Sequence, residues 1–131
     1  MPDAKKLTPN LIVSNVEQSL SFYEGTLGFT RGITVPEQSP FVFASVTSGP
    51  VEIFFNDRST VSKESPQLSG RATGGGNTMF IEVASVDAYH DQIKDRVKMV
   101  LPIVTQWYGM REFAIEDPDG YVITFAEPVG R

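Results

Sequence analysis

Two carboxylates on strand-like stretches, Glu52 and Glu82, and one aromatic pair, Trp107-Tyr108, are the side chains of this sequence with the most chemistry to offer. A pair of carboxylates can serve as general acid and base. Each also has a plainer reading, as a solvated group or a partner of Arg31, Arg71 or Arg111. Trp107 is the only tryptophan, and it sits in a loop. As a stacking platform an indole contributes about 0.5–1.5 kcal/mol beyond its buried area, and a cation over its face adds a comparable amount. The plainer reading is that Trp107 caps the core or a subunit contact. Covalent catalysis has no candidates. The chain has no Cys and one His, His90. That histidine falls among Tyr89, Asp91 and Gln92 on a helical stretch, where a solvated position is expected. No Ser-His-Asp or Cys-His set can be assembled, so no catalytic residue is assigned.

These groups need elements to position them. Lys6 to Ser14 reads as a strand, with Pro9 suiting an edge or a strand start. Ser14 or Asn15 caps a helix whose apolar stripe is Val16, Leu20, Tyr23 and Leu27, and Gly28 ends it. Strands follow at Phe29 to Val35, Phe41 to Thr47 and Val51 to Asn56. The stretch 58–76 is rich in Ser, Thr, Gly and Pro and carries Gly74-Gly75-Gly76, so it reads as a flexible linker. The pattern then repeats. Thr78 to Ala84 is a strand, and Ser85 caps a helix with the stripe Val86, Tyr89, Ile93 and Val97. Met99 to Thr105 is an edge strand containing Pro102. Asp117-Pro118-Asp119-Gly120 turns the final hairpin, and Glu127 opens a tail. Val13 and Val83, Val16 and Val86, and Thr8 and Thr78 are each 70 residues apart. The terminal hairpins match at about the same offset, Phe43-Ala44 with Phe113-Ala114.

The expected fold is α+β: two βαβββ modules, 1–57 and 77–131, forming a half-open barrel with a concave cleft. Each small sheet has only one helix of its own, so one of its faces needs other cover. Alternation places Thr8, Asn10, Glu52, Phe54, Thr78, Phe80, Glu82 and Thr124 on the cleft side. An apolar lining with a few hydroxyls and two acids suits a drug-like ligand. The other phenylalanines, Phe43 included, are expected in the core.

Bulk properties narrow the partners. At 131 residues the chain is one ordinary domain's length, with 40% hydrophobic and 21% charged residues. A net charge of −5 disfavours nucleic acid and is compatible with a cationic small molecule. There is no apolar run long enough to span a bilayer, so no membrane partner is expected. The absence of cysteine fits a reducing cytoplasm.

Two stretches resemble a known family. Leu11-Ile-Val-Ser-Asn-Val-Glu-Gln-Ser-Leu-Ser-Phe-Tyr-Glu-Gly-Thr-Leu-Gly-Phe29 looks like the opening signature of the vicinal-oxygen-chelate superfamily, and Glu116-Asp-Pro-Asp-Gly-Tyr121 resembles its closing signature. Members include glyoxalase I, extradiol dioxygenases, fosfomycin-resistance enzymes and the metal-free bleomycin-resistance proteins. The resemblance implies four metal-ligand positions, which fall on Thr8, Glu52, Thr78 and Thr124. Threonine hydroxyls are poor ligands for the transition metals those enzymes use, and one carboxylate is too few for a harder ion. No metal and no other cofactor is therefore expected. Trp107-Tyr108-Gly109 ahead of Arg111-Glu112-Phe113-Ala114 is similar to the Trp-Gly…Arg-Glu-Phe-Ala passage of bleomycin-resistance proteins, with one extra Tyr. The resemblance implies a homodimer that sequesters a small aromatic, cationic molecule, with Trp107 and Tyr108 among its contacts. The alternatives are a lyase or oxygenase of the same superfamily, and a structural module with no small ligand.

Overall fold

The computed structural model describes residues 3–130. The first module runs β1 (Asn10–Val13), α1 (Val16–Leu20), β2 (Thr30–Val35), β3 (Phe43–Ser48) and β4 (Val51–Asp57). A second helix, α2 (Arg58–Glu64), follows. The second module runs β5 (Thr78–Glu82), α3 (Val86–Ile93), β6 (Lys98–Thr105), β7 (Met110–Glu116) and β8 (Val122–Pro128). The strands make two separate four-stranded sheets, ordered β1-β4-β3-β2 and β5-β8-β7-β6. In each, the first strand runs parallel to the last and the other pairs are antiparallel. The fold is therefore α+β with a repeated βαβββ module, and among the described residues no ladder closes the two sheets into one barrel. Among the described residues, no helix is long and apolar enough to cross a membrane.

In the first module Asn15 caps α1, its Oδ1 accepting from the Gln18 amide at 2.7 Å. The helix then widens into π-type turns over Ser21–Thr26. Gly28, at φ +85°, takes the left-handed conformation that ends it. Val16, Leu20, Tyr23 and Leu27 are all buried, the stripe the spacing predicts. They lie on the same side as Leu11, Val13, Ala44, Val46, Ile53 and Phe55. Glu17 faces the 39–41 loop, accepting from the Phe41 amide at 2.9 Å and from the Ser39 hydroxyl. The Ser39 bond is the larger of the causes that hold the Glu17 carboxyl below its ordinary value.

In the second module α3 covers Phe113, Ile115, Ile123 and Phe125, all buried. Tyr89 meets Phe125 edge-on at 4.9 Å. His90 is not the solvated residue the sequence suggests. Its side chain is 17% exposed and stands edge-on to Phe113 at 5.0 Å. Ser85 sits at the N-cap but makes no side-chain cap bond. Glu127 replaces it, its Oε1 accepting from the Val86 amide at 2.9 Å. Glu127 lies within β8, not in a tail. A carboxylate at a helix start satisfies an orphan donor and complements the helix dipole.

The repeat is true in the helices and slips in one hairpin. Phe113 stands opposite Phe125 on the helix side, whereas Phe43 stands opposite Asn56 on the other face. The structural counterpart of Phe113 is Ala44, opposite Phe55. A one-residue slip reverses every side chain of a strand. Phe43 thus leaves the expected core and packs on Phe54, with ring centres 5.1 Å apart.

The stretch expected as a linker has local structure. Asp57 caps α2 by accepting from the Thr60 amide at 3.2 Å. The chain divides into two compact units at Arg71–Ala72. Just beyond, Thr73 donates to the Asp119 carbonyl at 2.9 Å. Gly74, at φ +77°, lies so close to the final turn that a Cβ would stand 2.4 Å from the Gly120 carbonyl. The turn is itself braced: the buried Asp117 accepts at Oδ1 from the amides of Asp119 and Tyr121, each at 2.9 Å. Gly74→Ala should lower stability by about 1–3 kcal/mol, from the positive φ and the displaced backbone. Gly75 has nothing within 4 Å of its virtual Cβ. Gly75→Ala should be neutral or stabilising by up to about 1 kcal/mol. Urea midpoints of the two variants measure the contrast.

Burial pushes the Tyr89 phenol up to about 12, against a small opposing effect of Arg96. A phenol with a raised folded value favours folding while it is protonated. That contribution is intact below the ordinary value near 10 and is lost as pH rises from there toward 12. Tyr89→Phe should therefore flatten the loss of stability in this window, measured by denaturant midpoints at stepped pH.

Candidate functional site

Each sheet has one face under its helix and a second face, turned away from the helix, whose residues follow from the register. In the first module that second face carries Asn10, Ile12, Phe43, Ser45, Glu52, Phe54 and Asn56. Asn10 stands opposite Phe54, and its side chain takes a hydrogen bond from Asn56. Glu52 pairs with Lys6, not with an arginine. Arg31 is held by Glu24 and Arg111 by Asp87. Thr8 precedes β1 instead of lying in it. Its neighbour Pro9 accepts from the Phe54 amide at 2.9 Å.

In the second module Thr78, Phe80 and Glu82 stand opposite Val122, Thr124 and Ala126. Phe80 is 55% exposed, unusual for a phenylalanine on a sheet face. Across β8 the row continues: Ala126 stands opposite Glu112, and Glu112 opposite Val104. Glu82 and Glu112 thus flank the small Ala126 on one face. They are two strand spacings, roughly 10 Å, apart along the row.

Glu112 is the residue that sequence reasoning passed over. It is only 5% exposed. Its Oε1 accepts from the Tyr108 hydroxyl at 2.7 Å and from Gln106 Nε2 at 3.3 Å. Its Oε2 is buried and has no hydrogen-bond partner among the described residues. A buried carboxylate oxygen without a donor costs about 1–3 kcal/mol. The signal lay in parity: Glu112, Ala114 and Glu116 pair with the inward residues Ala126, Thr124 and Val122. The pairing depends on the length of the 117–121 turn.

Both donors to Glu112 come from the β6–β7 loop. Its reverse turn is closed by Gly109 N donating to Gln106 O at 3.0 Å, with Gly109 at φ +89°. The Val129 amide ties Gly109 down from the other side at 2.9 Å. Trp107, between the two donors, is 82% exposed and edge-on to Tyr108, with centroids 5.4 Å apart. The loop thus presents one ring to solvent and anchors the next on the sheet. The metal-ligand set that the family pattern places on Thr8, Glu52, Thr78 and Thr124 does not fit a metal. Three members offer neutral hydroxyls, and the fourth, the Glu52 carboxylate, is engaged by Lys6. Among the described residues, no three His, Cys, Asp or Glu side chains are grouped to hold an ion.

Residues 7–125 match the Glyoxalase/Bleomycin resistance protein/Dioxygenase superfamily, and the chain belongs to that superfamily. It is 29% identical to a bleomycin resistance protein of Geobacillus stearothermophilus, over 92% of this chain and 95% of that one. A protein of unknown function from Agrobacterium tumefaciens has a similar structure, with TM-score 0.79 and 26% identity over 97% of this chain and 96% of the other. The bleomycin-binding protein of Streptomyces verticillus, solved with copper(II)-bleomycin, shares the fold at TM-score 0.66 and 23% identity over the whole of both chains.

Accepting the Tyr108 hydroxyl on Glu112 also raises the Tyr108 phenol above its ordinary value. In Glu112→Gln the tyrosinate absorbance of Tyr108 should therefore develop at lower pH than in the parent protein. Ultraviolet titration at alkaline pH, with Tyr108→Phe as the blank, measures the shift.

Proposed function

We propose that this protein is a metal-free small-molecule binder of the bleomycin-resistance type, taking a planar aromatic ligand that carries positive charge. The observation that carries the reading is Trp107, 82% exposed on a closed turn whose neighbours are fastened to the sheet. An indole held out in water on a braced loop is preorganised for stacking, so ordering it costs little when a ligand arrives. Phe80 and Thr124, on the same face of the same module, supply further apolar and hydroxyl contacts. Glu82 and the net charge of −5 favour a cation over an anion. Thr8 and Thr78, with Thr124, leave the inherited ligand positions to hydroxyls, which supports binding without a metal. The likeness to bleomycin resistance proteins at 29% identity makes bleomycin the first compound to try. The working unit is a homodimer in the cytoplasm.

Bleomycin should raise the melting temperature and quench Trp107 fluorescence, and Trp107→Ala should weaken binding about tenfold. Light scattering should give the mass of two chains. Neither a thermal shift nor quenching with bleomycin would remove the bleomycin assignment. A stoichiometric transition metal in freshly purified protein, read by elemental analysis, would favour an enzyme of the superfamily instead.

A further inference from the structure

We propose that Glu112 is the charge anchor of the binding site and that Tyr108 is the movable group that covers it. The ligand group it takes is a cation bearing N–H donors, an ammonium or a guanidinium. This deepens the small-molecule reading above and rests on it.

The argument starts from an imbalance. Glu112 is buried on the face of the second sheet turned away from α3, and among the described residues only one of its two oxygens has partners. Its cross-strand neighbours on that face, Ala126 and Val104, are apolar and can donate nothing. Both donors on Oε1 come from one loop, and neither is a cation. Among the described residues no salt bridge reaches Glu112, although Glu24, Glu52, Asp87 and Glu116 each have one. A carboxylate kept from water with a bare oxygen is matched by a donor-rich cation, whose charge and N–H groups satisfy both needs together.

Tyr108 supplies the access. It is 38% exposed, and its hydroxyl ends on Glu112 Oε1. A partly exposed ring rotating outward would uncover the carboxylate without disturbing the backbone of the closed turn. Trp107, next in the chain and edge-on to Tyr108, would then stack on the aromatic part of the same ligand. Glu82, in the same row beyond Ala126, adds attraction for the cation from the exposed side. The ligand's flat ring and its charge are thus read by adjacent parts of one module.

The test uses two probes with one ring system, 2-naphthylmethylammonium and the neutral 2-naphthylmethanol, titrated into the full chain near neutral pH and followed by calorimetry. The parent protein should bind the ammonium about tenfold more tightly than the alcohol. Glu112→Gln should abolish that preference while keeping the affinity for the alcohol. Tyr108→Phe removes the competing hydroxyl and should strengthen ammonium binding severalfold, a change that a purely structural Glu112 would not produce. If Glu112→Gln fails to fold, Tyr108→Phe decides alone, and unchanged ammonium affinity in it overturns the assignment. Equal binding of both probes by the parent protein overturns the anchor and leaves the aromatic-binding reading standing. A preference that survives in Glu112→Gln does the same. Binding of neither probe overturns both.

Discussion

One helix can cover one face of a four-stranded sheet, and in each βαβββ module a single helix, α1 or α3, packs on one face of its sheet, with α2 added beside β1 and β4 of the first. That shortage organises the rest. The covered faces hold the fully buried rings, Tyr23 and Phe55 in the first module, Phe113 and Phe125 in the second. Burying such rings contributes roughly 1.5–3 kcal/mol each, so these faces are where stability is concentrated. The second faces carry a mixed population of amide, hydroxyl, carboxylate and aromatic groups. Such a mixture is a poor hydrophobic core and a good recognition surface. Stability is thereby concentrated on one side of the strands, while the polar and aromatic mixture stands on the other.

The closing hairpin, β7 and β8, serves both sides at once. Phe113 and Phe125 face α3, while Glu112 and Thr124 face away from it. Its turn is braced by Asp117 and receives Thr73 and Gly74. Its far end supplies Glu127 to the start of α3. The loop that leads into it carries Trp107 and Tyr108. One element thus fixes a core, a helix cap and an aromatic-acidic cluster. The residues of that cluster inherit the rigidity of a well-packed strand pair, which a free loop would lack.

Much of the fold was legible in the residues. The stripe from Val16 to Leu27, the caps at Asn15 and Gly28, the edge position of β6 and the Asp117–Gly120 turn all follow from local rules. In β4, β5 and β8 the residues that alternation groups together do share the face turned away from the helix. Three things were not legible, for distinct reasons. Phe43 and Phe113 look equivalent in sequence and face opposite ways, because facing depends on the hairpin register. His90 looked solvated because its helix neighbours are polar, but the ring packs on Phe113, far away in sequence. The glycine run looked like a loose tether because composition reports conformational freedom, whereas Gly74 uses that freedom to lie against Gly120.

The sequence by itself determined the class of fold and the poverty of the metal-ligand positions, since both rest on local periodicity and on which side-chain atoms exist. A threonine cannot supply an imidazole wherever the chain goes. Only the tertiary structure decided which acid is buried. Glu52 and Glu82 drew attention as strand carboxylates, yet one is engaged by Lys6 and the other is exposed. Glu112, unremarked among the residues of its strand, is the buried one with a bare oxygen. Burial and hydrogen-bond partners come from neighbours on other strands, and turn length and register choose those neighbours.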